Sequence, residues 1–181
     1  MSISNFTTVR YKIESTSVTC YEYTEPVNLS EAWVQFIRRL EPLDWFCTFT
    51  FRDPVHPEQA NRRLQRFVRT LNEIRFSKRY REKGLGIYLI NAIEWQRRDV
   101  LHFHSLMGGG LRDLDRFAWM ELWNRDNGFA RIYPYDPAGA PGYVSKYVVK
   151  GGEIDISLPP WKELEVKGLG YPSLGLGCSG R

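Results

Sequence analysis

The chain is poor in cysteine, and its three cysteines, Cys20, Cys47 and Cys178, lie far apart in the 181 residues. None of them forms a CxxC pair, so neither a disulfide framework nor a zinc knuckle is indicated. No apolar run approaches the roughly 18 residues of a membrane-spanning helix, and the first residues lack the charged and apolar segments of a secretion signal. We therefore expect a protein of the reducing cytoplasm of a bacterial or archaeal cell, with no membrane partner.

Hydrophobic residues make up 43% of the chain and aromatic residues 14%, which is enough for one sizeable core. The formal net charge is +4, and residues 58–83 hold nine Arg or Lys against three acidic residues. This segment predicts a basic surface. Composition alone leaves two interpretations open, a nucleic-acid contact and a merely solvated helix face.

Hydrophobic periodicity predicts an α+β fold with helices packed against a central antiparallel sheet. One or two strands are expected within 7–23, and a helix capped by Ser30 should end before Pro42. An aromatic strand (45–51) should precede a long helix beginning near Pro57 and extending to about Lys83. The remaining expected elements, in order, are strands at 86–96 and 100–107, a helix over 111–124, a strand over 128–133, a loop over 134–142 and a helix over 143–150.

The two strands at 86–96 and 100–107 form a predicted hairpin that carries candidate metal ligands. His102 and His104 are two residues apart, so both side chains point to one face of their strand. Antiparallel pairing would place Glu94 opposite His102 on that face. Two imidazoles and a carboxylate form an open site for a divalent metal ion. Gln96 is a rival ligand, His56 is expected in a surface turn, and a purely hydrogen-bonded role of both histidines stays open.

Candidate nucleophiles lie on the last predicted helix, in the sequence YVSKYVVK at residues 143–150. Tyr143, Lys146, Tyr147 and Lys150 share one helix face because they are spaced three and four residues apart. Tyrosine is a weak nucleophile at its usual pKa of about 10, and a neighbouring lysine can favour the phenolate. Core packing of both tyrosines is the alternative.

Three motifs in this order resemble the HUH endonucleases, the replication initiator (Rep) proteins of rolling-circle phages, plasmids and single-stranded DNA viruses. FCTFTF (46–51) resembles their first motif, LHFHSL (101–106) the second and YVSKYVVK (143–150) the third. The resemblance covers about 45–150. The paired tyrosines resemble the two-tyrosine initiators of small isometric phages, and also plasmid initiators in which glutamate replaces the first tyrosine.

The resemblance implies an RRM-like, ferredoxin-like fold and a sequence-specific nickase that joins Tyr147 to a 5′-phosphate at a replication origin, with Tyr143 as second nucleophile. It implies Mn²⁺ or Mg²⁺ at Glu94, His102 and His104. No GxxxxGK[ST] phosphate loop is present, so a host helicase and polymerase are expected partners beside single-stranded DNA. The candidate DNA contacts are Arg62, Arg66, Arg69, Arg75, Trp95 and Phe103.

We expect the endonuclease domain to span 1–152 and a Gly/Pro-rich tail or linker to span 153–181. Three alternatives to a replication initiator remain open. A transposase or relaxase would use the same chemistry, and a non-catalytic RRM-like module would bind single-stranded DNA without metal ligands. A metal-dependent oxygenase or cupin would need a further ligand downstream, yet no histidine follows His104.

Overall fold

A computed structural model of the chain describes residues 8–11, 28–95, 100–149 and 153–163. These residues form six strands and four helices. In chain order the elements are β1 (Thr8–Tyr11), α1 (Leu29–Arg39), β2 (Trp45–Thr50), α2 (Pro57–Phe76), β3 (Tyr88–Trp95), β4 (Leu101–Gly108), α3 (Arg116–Asp126), β5 (Ala130–Pro134), α4 (Ala140–Val149) and β6 (Ile154–Ser157). None of the described helices is long and apolar enough to cross a membrane.

The strands form one sheet in the order β1-β6-β3-β4-β2-β5, and every neighbouring pair is antiparallel. The predicted α+β fold is therefore confirmed. The block from β2 to β5 follows the pattern βαββαβ and places β2 and β4 in the middle of its four strands, which is the ferredoxin-like arrangement. Helix α4 then connects β5, at one edge of the sheet, to β6 on the far side of β3.

Side-chain alternation gives the sheet two different faces. In β2, Trp45, Cys47 and Phe49 are buried on the side covered by α2 and α3, which we call the α2 face. Side chains of the opposite parity, such as Leu106 in β4 and Ile90 in β3, pack beneath α1 and α4 on the α4 face. Because β-strand residues alternate between faces, each strand contributes to both layers.

The long basic helix α2 begins as predicted at Pro57, which occupies its first position. Its buried residues include Leu64, Phe67 and Leu71, spaced to form one apolar stripe on the α2 face. The predicted extension to Lys83 is wrong. The helix ends at Phe76 because Ser77 has a φ of 86°, outside the helical region, and residues 78–84 form turns.

Other predicted boundaries also need correction. Helix α1 is capped by Asn28, whose side chain accepts a hydrogen bond from the Glu31 amide, and not by Ser30. Helix α3 begins only after Asp115, which accepts a hydrogen bond from the Phe117 amide and caps the helix. Helix α4 begins earlier than predicted, since residues 140–142 of the expected loop are already helical. In the stretch 7–23, residues 8–11 form β1, and 12–23 lie outside the described residues.

The domain boundary predicted at residue 152 is wrong over the part of the tail that the structure describes. Ile154–Ser157 forms β6, which pairs with β1 on one side and with β3 on the other. Beyond it, Lys162 is fully buried and its Nζ donates a hydrogen bond to the Glu41 carbonyl. At least residues 153–163 therefore belong to the fold and not to a linker.

Candidate nucleic-acid cleavage site

The predicted metal hairpin is formed by β3 and β4. Glu94 and His102 are paired directly across the two strands, and His104 pairs with Ala92. Because directly paired residues in adjacent strands share a face, Glu94 and both histidines lie on the α4 face. The predicted hairpin tip and the rival ligand Gln96 fall within 96–99, outside the described residues, while His56 is exposed at the start of α2 as expected.

His104 is held on both sides of its ring. Its Nε2 lies 3.0 Å from Glu94 Oε2, and its Nδ1 lies 3.4 Å from the hydroxyl of Thr48 on β2. A carboxylate only accepts hydrogen bonds, so Nε2 carries the proton in this arrangement and Nδ1 accepts from Thr48. A metal ion at Nε2 would require the other tautomer, in which Nδ1 donates its proton to the same threonine oxygen.

Both histidines favour the neutral form. Burial lowers the pKa of His102 and of His104 below the usual value for histidine, and the neighbouring Glu94 carboxylate opposes this shift in each case. A neutral imidazole keeps one ring nitrogen free to bind a metal ion. The two rings are therefore in the protonation state that ligands require at neutral pH.

The donor set fits a divalent ion in part. Two ligands at a right angle around Mg²⁺, each about 2.1 Å from it, lie about 3 Å apart, and the Glu94 and His104 donor atoms are separated by 3.0 Å. As the side chains stand, no three His, Cys, Asp or Glu residues in the described part of the chain are grouped closely enough to hold an ion. A three-ligand site would require the His102 ring to turn toward the other two.

The two candidate nucleophiles lie on α4 directly above His104. The Tyr147 ring stacks on the His104 ring with centroids 4.2 Å apart and an interplanar angle of 8°. The Tyr147 hydroxyl donates a hydrogen bond of 2.8 Å to the Tyr143 hydroxyl. Tyr147 is only 9% exposed, whereas Tyr143 is 37% exposed. The predicted common helix face is thus present, with one phenol covered and the other open to solvent.

Burial of Tyr147, reinforced by its hydrogen bond to Tyr143, raises its pKa above the ordinary value for tyrosine. The phenol is therefore protonated at neutral pH, and its attack on phosphorus requires removal of the proton during the reaction. Tyr143 is the nearest acceptor. The Nζ of Lys146 lies 5.8 Å from the centroid of the Tyr143 ring, while Lys150 lies outside the described residues.

The candidate DNA contacts do not lie together with this site. Arg62, Arg66, Arg69 and Arg75 are all exposed on α2, which packs on the opposite face of the sheet. Arg69 lies 4.0 Å from Glu73, and Arg75 lies 3.6 Å from Asp113. A strand bound at the tyrosines would have to pass around the sheet to reach these arginines.

The two aromatic candidates differ from each other. Trp95 is exposed, but it pairs with Leu101, whose side chain belongs to the core of the α2 face. Phe103 is fully buried and packs edge-on against Phe51 with ring centroids 5.6 Å apart. The prediction that Phe103 stacks on a base is therefore wrong, because no part of its ring is accessible.

Sequence reasoning missed two residues of the site, both on β2. Thr48 contacts His104, and the half-buried Phe46 packs against Tyr143 with ring centroids 5.3 Å apart. The strand was predicted as a uniformly buried apolar element. The alternation Phe46, Thr48, Thr50 was the signal, because a second parity with two hydroxyl groups indicates a strand face that is not simply core.

Comparison with known proteins agrees with this arrangement. Residues 44–152, more than half of the chain, match the family model of the Replication-associated protein ORF2. The chain belongs to this family of Rep-type rolling-circle replication initiators, and membership implies interaction with DNA at an origin. No curated protein and no solved structure matches the chain.

Proposed function

We propose that the protein is an HUH endonuclease of the two-tyrosine type, which nicks and rejoins single-stranded DNA at a replication origin through a 5′-phosphotyrosine. The observation that carries this proposal is the contact between the tyrosine pair and the histidine. Two phenol oxygens 2.8 Å apart lie beside His104, which itself contacts Glu94. Core packing of the tyrosines would not explain a buried hydroxyl aimed at a half-open one.

In the proposed first step, the Tyr147 oxygen attacks phosphorus of the scissile phosphodiester. The bond from phosphorus to the 3′ oxygen breaks, a new bond joins phosphorus to Tyr147, and the departing 3′ oxygen takes up a proton. The phenol proton passes along the existing hydrogen bond to the Tyr143 oxygen, which releases its own proton to solvent. The transesterification conserves one phosphodiester, so a later attack by a 3′ hydroxyl can rejoin the ends without ATP.

The site residues also position the phosphate and the rings. A divalent ion, Mn²⁺ or Mg²⁺, held by His102, His104 and Glu94 would polarise a phosphoryl oxygen as a Lewis acid. Thr48 fixes the His104 tautomer, and stacking on His104 fixes the Tyr147 ring. Lys146, exposed beside Tyr143, supplies positive charge that favours a phosphate there, and we assign the same role to Lys150.

Tyr143 serves a second transfer in this proposal. It remains free while Tyr147 holds the first DNA end, and its exposed hydroxyl can attack the regenerated origin. The free 3′ hydroxyl left by the first step is a primer. We therefore propose that a host polymerase extends it and a host helicase separates the strands.

The decisive experiment maps the covalent bond. The parent protein is incubated with a pool of single-stranded DNAs and Mn²⁺, and the DNA-linked peptide is identified by mass spectrometry. We expect a phosphotyrosine at Tyr147. Tyr147→Phe keeps the ring on His104 and deletes the nucleophilic oxygen, so the adduct should disappear. Tyr143→Phe should retain the first cleavage and lose strand transfer between two origins.

The matched control is Tyr133→Phe, which removes the hydroxyl of another exposed tyrosine and should leave adduct formation unchanged. An adduct found solely at Tyr143 would reverse the order of the two nucleophiles. If neither tyrosine carries DNA under conditions in which the DNA is bound, the covalent mechanism is wrong and the protein is a non-catalytic single-strand-binding module.

A further inference from the structure

The edge strand β5 presents an uncovered row of side chains next to the site. Ala130 and Ile132 are buried on the α2 face, so the residues of the other parity project from the α4 face. These are Phe129, Arg131 and Tyr133, which we call the β5 strip. Phe129 is 51% exposed, Tyr133 is 46% exposed and Arg131 is also exposed. Two large aromatic rings thus face solvent on the face that carries the tyrosine pair.

The β5 strip is an ordered array. The Arg131 guanidinium carbon lies 5.4 Å from the centroid of the Phe129 ring, and Arg131 Nη1 donates a hydrogen bond of 3.1 Å to the Tyr133 hydroxyl. The arginine therefore bridges the two rings. With strand residues spaced 3.2–3.4 Å apart, the Cα atoms of Phe129 and Tyr133 are about 13 Å apart.

The local backbone holds this strip against β2. The turn from α3 into β5 passes through Gly128, which has a φ of 155° and lies so close to β2 that an added Cβ would come within 2.6 Å of the Arg52 amide nitrogen. A glycine is therefore required there. Immediately after it, Phe129 exchanges hydrogen bonds with Thr50 through both its backbone amide and its carbonyl oxygen.

The strip is continuous with the site through β2. Arg131 pairs with Thr48, which pairs in turn with His104 on the next strand. Tyr133 pairs with Phe46, whose ring packs against Tyr143. Neighbouring strands are about 4.8 Å apart, so Arg131 and His104 are separated by roughly 10 Å at their Cα atoms.

We propose that the β5 strip binds the bases of a single DNA strand that runs from β5 across β2 into the cleavage site. This inference rests on the proposed function for the identity of the ligand, and it names residues that bind the strand outside the reacting phosphate. Phe129 and Tyr133 stack on bases, and Arg131 neutralises a backbone phosphate between them. A duplex does not fit this chemistry, because its base faces are already stacked.

The observations favour single-stranded nucleic acid over a protein partner. The strip combines aromatic faces with a guanidinium and contains no carboxylate, which is the composition of stacking platforms that also contact phosphates. It also continues, pair by pair, into the residues that would hold the scissile phosphate. Membership in the replication-associated family favours DNA over RNA as the ligand.

The test measures binding without cleavage. Fluorescence anisotropy with labelled oligo(dT) is performed in EDTA with the full chain carrying Tyr143→Phe and Tyr147→Phe. Adding Phe129→Ala and Tyr133→Ala should weaken binding by roughly five- to a hundredfold per lost stack. The matched control is Phe117→Ala, because Phe117 is 69% exposed and also lies under an arginine, Arg116, but belongs to α3 on the opposite face.

An unchanged affinity of the strip variant, or an equal loss with Phe117→Ala, would overturn the proposal. A preference for oligo(rU) over oligo(dT) that depends on the two rings would overturn the assignment to DNA. Arg131→Ala should make the salt dependence of oligo(dT) binding shallower, and Arg131→Lys should restore it. All four side chains are exposed, and thermal melting establishes that each variant is folded.

The outcome for the strip is separable from the outcome for the cleavage mechanism. If the parent forms no covalent adduct but the strip variants lose oligo(dT), the proposed nickase fails and the strip remains a binding surface. If the parent forms the adduct and the strip variants bind like the control, the strip proposal alone fails.

Discussion

The two faces of the sheet use the same strands but differ in how they are covered. On the α2 face, Phe49, Phe67 and Trp123 form a closed aromatic cluster, with Phe49 and Trp123 centroids 4.5 Å apart. On the α4 face, helices α1 and α4 cover only part of the sheet, and polar groups such as Thr48 lie beside open space. Neighbouring residues on one strand therefore serve different ends, structural stability on one face and chemistry on the other.

The sharpest form of this comparison is His102 beside Phe103. His102→Ala should abolish cleavage, the largest effect we expect, because it removes a proposed metal ligand from the α4 face. The half-buried ring contributes little to the core, so thermal unfolding should change little. Mn²⁺ should raise the melting temperature of the parent and not that of the variant. EDTA should abolish cleavage by the parent, and full activity in EDTA would remove the metal from the mechanism.

Phe103→Ala should give the opposite result. The ring is fully buried against Phe51 on the α2 face, so its removal should cost about 3–5 kcal/mol of unfolding free energy. Urea denaturation measures this loss. Cleavage per folded molecule should be retained, since the ring does not touch the site. A stable but inactive Phe103→Ala protein would contradict the separation of the two faces.

Cys47 tests how dry the α2 face is. Complete burial raises the pKa of its thiol, so the thiol stays protonated in the folded state while the unfolded chain ionises above pH of about 8.5. Stability from this group is full below that pH and should fall by about 1.4 kcal/mol per pH unit above it. Urea denaturation between neutral and alkaline pH should show this slope in the parent and a shallower one in Cys47→Ala. Equal slopes would mean that water reaches the thiol.

The smallest expected effect concerns the arginines of α2. Changing Arg62 and Arg66 to Ala should make the salt dependence of binding to a long single strand shallower by about 0.7 per lost phosphate contact. Binding of a short oligo(dT) confined to the α4 face should not change, because α2 lies behind the sheet. Arg79→Ala is the control, since its side chain is already paired with Glu82. An unchanged slope with the long strand would assign Arg62 and Arg66 to a solvated surface.

Local patterns in the sequence predicted the parts of the molecule that depend on local geometry. The two-residue spacing of His102 and His104 was sufficient to place both on one face, and the pairing with Glu94 is as predicted. The four-residue spacing of the tyrosines was likewise sufficient for their contact. These relations follow from the periods of strand and helix alone.

What escaped prediction depends on contacts between distant parts of the chain. Phe103 alternates with two candidate ligands, but its burial is decided by α2 and α3, which pack on it from elsewhere in the sequence. Strand β6 has a short apolar pattern within a Gly/Pro-rich region, and its place between β1 and β3 could not be inferred from that region alone. The value of β5 as a surface likewise depends on which helices leave it open.

The path of α4 across the sheet has a mechanical consequence. The helix is preceded by β5 at one edge and followed by β6, which lies between β1 and β3. A DNA end bonded to Tyr147 would therefore pull on a segment that is anchored at both ends in the same sheet. Tension from a moving replication machinery would be shared between two sets of interstrand hydrogen bonds, so the attachment point could bear load without peeling a terminus from the fold.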